Sequence, residues 1–134
     1  MSALTRYFFS PVYSPNSTWA VVSWWESRRA VYNLTVGAAG LLSLLTVALS
    51  AWIHPFPAPF RPPVLAIIAY AVMANLFYTL GPVVDAFIHH RFGPEYAAVG
   101  PTIFRYGFVF SVGLTLLPIP IAAMIWVARL LFAT

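Results

Sequence analysis

Three stretches of the chain, 30–53, 63–84 and 106–128, are almost continuously apolar, and polar residues gather mostly between them. At 1.5 Å per helical residue the first covers about 36 Å, enough to cross the hydrocarbon core of a bilayer with some tilt. The pattern predicts an all-α integral membrane protein with three transmembrane helices. Residues 1–25 differ: Pro11, Pro15 and the "SPNST" stretch interrupt them, and Tyr7, Phe8, Phe9, Tyr13, Trp19, Trp24 and Trp25 crowd in. Tyrosine and tryptophan favour the headgroup level, so the expectation is an aromatic arm lying along the interface. The same prolines leave no apolar core long enough for a secretory signal.

Prolines also shape the connections between the spans. "HPFPAPFRPP" (54–63) reads as a short, stiff link, and Pro63 suits the first turn of the second span. That helix is expected to run past Asp85 into "FIHHR", before Gly93-Pro94 and Gly100-Pro101 punctuate the next connection. Pro118 and Pro120 predict a kink in the third span. Two separate helices forming a re-entrant hairpin are the alternative, but each piece would fall well short of the roughly 20 residues needed to cross.

The second span carries a row of polar or helix-breaking positions. Asn75, Tyr78, Pro82, Asp85 and His89 step by three or four and therefore share one helical face, while Leu76, Phe77, Leu80, Val83, Val84 and Phe87 cover much of the rest. Pro82 removes the donor that would meet the Tyr78 carbonyl, and a bare carbonyl in hydrocarbon is costly. The face is therefore expected to point into protein or a wet cavity. Its simplest use is structural, with Asn75 and Tyr78 bonding to neighbouring helices and Asp85 pairing with Arg28 or Arg105. Its chemical use would be an ion or proton relay through Asp85 and His89. A metal site would need Glu95 to fold back as a third ligand, since His89 and the adjacent His90 point about 100° apart on a helix.

Two further rows suit helix packing: Asn33, Gly37 and Gly40 on the first span, and Gly107, Ser111 and Thr115 on the third. Small residues at such intervals let backbones approach closely, either within the chain or against a partner. His54 and His89 are candidate ligands for a haem or a chlorophyll magnesium, but about 30 Å of hydrocarbon separates them, so they cannot share one group.

Composition narrows the class. Of 134 residues 61% are hydrophobic and 7% charged, against about 25% charged in soluble domains. All seven basic residues are arginines, too sparse for a nucleic-acid surface. Arg28, Arg29, Arg91 and Arg105 are candidates for lipid head-group contacts. With Arg6 they outnumber Arg61 and Arg129 opposite, which predicts a cytoplasmic N-terminus and an outer C-terminus in a bacterial cytoplasmic membrane. The lack of cysteine excludes disulfides, thiolate metal sites and cysteine nucleophiles. No hydrolase elbow, phosphate-binding glycine loop or zinc-protease helix is present, so no catalytic residue is expected.

The blocks "WWESRRAVYNLTVG" (24–37), "ANLFYTLGP" (74–82) and "FRYGFVFSVGLTLLP" (104–118) resemble small bacterial multi-span membrane proteins without an assigned activity. The resemblance covers the three spans and implies no catalytic residue. The expected function is that of a non-catalytic accessory subunit in a larger membrane assembly, an energy-transducing one of the photosynthetic or respiratory kind. Its expected partners are lipids and other integral membrane subunits, with chlorophyll or carotenoid at a subunit interface. The competing expectation is a homo-oligomeric ion or proton conductor lined by the polar face of the second span.

Overall fold

The computed structural model describes residues 2–10, 17–53, 59–93 and 99–132. All regular structure among them is helical: α1 (Ala3–Phe9), α2 (Thr18–Trp52), α3 (Val64–Phe92), α4 (Val99–Leu116) and α5 (Pro118–Phe132). Among the described residues three helices are long and apolar enough to cross a membrane: α2, α3, and α4 with α5 taken as one stretch of 34 residues.

α2 begins well before the expected start of the first span. Residues 18–29 belong to the same helix as 30–52, so only the short α1 forms a separate N-terminal element. The reason lies in which side chains α2 buries: Val21, Trp25, Arg28, Tyr32, Val36, Ala39 and Ser43. These recur every three or four residues, making one continuous seam. The charged "ESRR" interrupts the hydropathy but not the seam, because Glu26 and Arg29 point away from it.

α3 runs antiparallel to α2, as the contacts Trp25–Asp85, Tyr32–Ala74 and Asn33–Asn75 show. α4 runs parallel to α2, through Trp25–Phe104, Tyr32–Ser111 and Ser43–Thr115. The up–down–up arrangement gathers Arg6, Arg28, Arg29, Arg91 and Arg105 at one end and Arg61 and Arg129 at the other. The core lies near the arginine-rich end. There Phe104 packs against Phe8, Trp24, Trp25, Tyr78 and Phe108 with ring centroids 5.7–6.4 Å apart.

The third span is interrupted where the prolines stand. α4 ends at Leu116, Leu117 forms a single turn residue, and Pro118 opens α5. Pro118 cannot reach the Leu114 carbonyl, which instead accepts from Leu117 N at 3.3 Å in a tightened turn. Pro120 falls in the first turn of α5, where an amide would have no helical partner. Both α4 and α5 pack along α2 and make little contact with each other, unlike the two arms of a hairpin.

Candidate functional site

Four of the five positions on the polar face of α3 are buried against the chain's own helices, and the fifth, Asn75, is half-buried at the edge of the α2 contact. Tyr78, Pro82, Asp85 and His89 are all buried, while Leu76, Phe77, Leu80, Val83, Val84 and Phe87 are exposed. At the centre, the fully buried Asp85 carboxylate accepts a hydrogen bond at Oδ2 from Trp25 Nε1 at 2.8 Å. His89 Nδ1 lies 2.9 Å from the Asp85 backbone carbonyl and 3.0 Å from Oδ1. One ring N–H cannot serve both well; the carbonyl contact has hydrogen-bond geometry, and the approach to Oδ1 is electrostatic only. His89 Nε2 is buried without a partner among the described residues.

The expected arginine partner of Asp85 is therefore replaced by an indole and an imidazole. Arg28 is 5% exposed and turned elsewhere. Its guanidinium stacks on Trp24 at 3.8 Å and on Tyr7 at 4.8 Å, and donates to the backbone carbonyls of Trp24 and Tyr7. It clamps α1 onto α2 and is not free for a lipid head group. Tyr7 Oη donating to Ser27 O (2.5 Å) and Trp24 Nε1 donating to Ser10 O (2.9 Å) complete the clamp. Arg105 is exposed on the outer side of α4, as is Arg91 near the end of α3.

Two glycines make room for the cluster. A Cβ at Gly81 would sit 2.5 Å from the Trp25 ring, so the glycine admits the indole between α2 and α3. A Cβ at Gly100 would collide with the Asp85 carboxylate, which lets α4 begin directly against it. Tyr78 adds a third tie, its hydroxyl donating to Trp25 O at 2.7 Å. Lower in the bundle, Tyr32 Oη donates to Ser111 Oγ at 3.0 Å, Tyr70 Oη meets Thr115 Oγ1 at 2.5 Å, and Ser43 Oγ donates to Thr115 O at 2.6 Å.

The small-residue rows divide. Ser111 and Thr115 serve these internal bonds, and Gly40 faces the Thr115 methyl. Gly37 and Gly107 do not pack helices together: both are exposed, with nothing near the place of an added Cβ. Gly37 continues an outer stripe of α2, Arg29–Asn33–Gly37, that runs beside Thr79, Asn75 and Ala71 of α3. Asn33 Nδ2 donates to Asn75 Oδ1 at 3.2 Å, and Arg29 bridges to Glu26 at 2.7 Å and to Thr79 Oγ1 at 3.4 Å. A shallow groove of about 420 Å³ lies along α3 beside Arg29, lined by Ala71, Val72, Asn75, Leu76 and Thr79, with Asn33 and Gly37 outside its lining.

On the opposite face of α3, a larger cleft of about 640 Å³ opens between α3 and α4, with Trp25 and Tyr32 among its lining. Among the described residues no three of His, Cys, Asp and Glu gather as a metal site would require, and Asp85–His89 stands as a pair. His54 and Glu95 lie outside the described residues. Comparison with protein-family models, curated proteins and solved structures finds no match.

Sequence reasoning missed Trp25, Gly81 and Gly100 as parts of the cluster. Extending the three-four spacing backward from Tyr32 through Arg28 reaches Trp25 and Val21, which was the available signal.

Proposed function

We propose that this chain is a non-catalytic accessory subunit of a larger membrane assembly, and that it docks a helix of another subunit onto the outer α2/α3 seam. One observation carries the reading: hydrogen-bonding side chains face outward at membrane depth. Asn75 lies about 16 Å from the start of α3 and about 25 Å from its end, well inside an apolar helix. The Asn33–Asn75 pair has hydrogen-bonding capacity to spare, and such groups facing acyl chains are unfavourable. A partner helix bearing a polar side chain would satisfy them, and the bare Gly37 would let its backbone come close. The groove beside Ala71, Val72 and Asn75 gives it a seat.

The clustering of five arginines at one end supports a cytoplasmic N-terminus, with α1 held at that interface. An energy-transducing complex is the host expected from the sequence, and the identity of co-purifying subunits tests that. Native mass spectrometry after mild extraction tests the docking: the reading expects a heterologous subunit bound to the wild-type chain and lost from Gly37→Leu.

The second reading, a homo-oligomeric proton conductor, is favoured by the buried Asp85–His89 pair, whose Oδ1 and Nε2 lack hydrogen-bond partners among the described residues. It expects Asp85→Asn to abolish proton flux in vesicles while assembly persists, whereas the accessory reading expects no flux in the wild type.

A further inference from the structure

The cleft between α3 and α4 is elongated along the helix axes. Its α3 wall runs from Tyr70 to Val84 and its α4 wall from Ile103 to Leu114, distances of about 21 Å and about 16 Å. The cleft of about 640 Å³ thus runs as a trough along the two helices. The walls are apolar: Met73, Phe77 and Leu80 on one side, Gly107, Phe110 and Leu114 on the other. The hydroxyls that line it are engaged with protein: Tyr32 with Ser111, Tyr70 with Thr115 and Tyr78 with Trp25 O. Among the described residues no histidine lines it. The lining therefore selects a long apolar chain with no polar group inside the trough.

One charge marks where such a chain would enter. The α3 strip Met73–Leu80–Val84 continues two turns on, by about 10 Å, to the exposed Arg91. Arg91 stands at the arginine-rich end of the bundle, where an arginine beside the bilayer surface pairs with phosphate.

We propose that this cleft binds one acyl chain of an anionic phospholipid whose phosphate is held by Arg91. The lipid fills the gap between the two helices and ties α3 to α4. The site lies on the face of α3 opposite the Asn33–Asn75 seam, so it stands or falls independently of the docking reading.

The test uses the full chain in nanodiscs of equal parts phosphatidylglycerol and phosphatidylcholine, released for native mass spectrometry. The wild type is expected to retain one phosphatidylglycerol. Gly107→Phe, which places a ring in the trough from a position with open space around it, is expected to lose the bound lipid with unchanged helical circular dichroism. Leu114→Trp fills the trough from a second position should the first variant fail to fold. Arg91→Gln is expected to keep a lipid but reduce the preference for phosphatidylglycerol about fivefold. A wild type that retains no lipid, or a folded filled variant that retains as much as the wild type, overturns the site. An unchanged preference in Arg91→Gln overturns the role of Arg91.

Discussion

Trp25 and Asp85 are sixty positions apart in the chain and joined by a 2.8 Å hydrogen bond inside the bundle. Around that bond α2, α3 and the start of α4 converge, with Gly81 admitting the indole and Gly100 admitting the carboxylate. A tryptophan N–H is a single, directional donor, so its partner oxygen fixes the rotation of α3 against α2.

Trp25→Phe removes one ring of the indole together with its N–H, leaving Asp85 Oδ2 buried without its donor and a small void beside Gly81. The expected loss is about 1–3 kcal/mol of stability, the penalty for an unsatisfied buried acceptor. Asp85→Asn keeps an amide oxygen that can accept from Trp25 and is expected to lose less. Unfolding of both variants in mixed detergent micelles measures the difference, and equal losses would deny Trp25 its role.

The glycines sort by what surrounds them. Gly81→Ala and Gly100→Ala each force a methyl into an occupied place and are expected to cost about 1–3 kcal/mol. Gly37→Ala meets nothing and is expected to leave stability unchanged or raise it by about 0.5–1 kcal/mol, as helix-interior glycine replacements do. The same micelle titration ranks all three.

Arg28 holds α1 by stacking as well as by hydrogen bonds, so lysine cannot replace it. Arg28→Lys loses the flat contact with Trp24 and Tyr7 and is expected to loosen α1 by up to about 2 kcal/mol. Faster amide exchange confined to Ala3–Phe9, with α2–α4 unaffected, is the expected signature.

Tyr32→Phe removes the hydroxyl that donates to Ser111 and reaches the Ala74 carbonyl at 3.5 Å, and Ser43→Ala removes the bond to the Thr115 carbonyl. Such bonds inside membranes average about 0.6 kcal/mol, so each loss is expected to be small beside that of Gly100→Ala. A large effect at Tyr32 would mean that its hydroxyl's approach to the Ala74 carbonyl matters more than its bond to Ser111, since phenylalanine keeps the ring contact with Tyr78.

The spans were legible because apolar runs of the required length have few other uses, and the inward turn of Tyr78, Pro82, Asp85 and His89 followed from their spacing alone. The start of α2 was not legible: "ESRR" lowers the hydropathy of a helix whose buried seam continues through it. The partner of Asp85 was misassigned because charge pairing suggested an arginine, while the fold set one of the two candidates, Arg28, against tryptophan and tyrosine rings. Which small residues pack and which stay bare also escaped the sequence. Gly40 and Gly37 sit three apart on α2, and only the placement of α4 separates them.

The bareness of Gly37 permits the most direct test. In native mass spectrometry of mildly extracted membranes, the wild-type chain is expected to carry a heterologous membrane subunit. Gly37→Leu, whose Cβ would meet nothing within 4 Å, is expected to keep its fold and lose that subunit. Recovery of the wild type alone or only as copies of itself, or retention of the subunit by Gly37→Leu, would contradict docking at the α2/α3 seam.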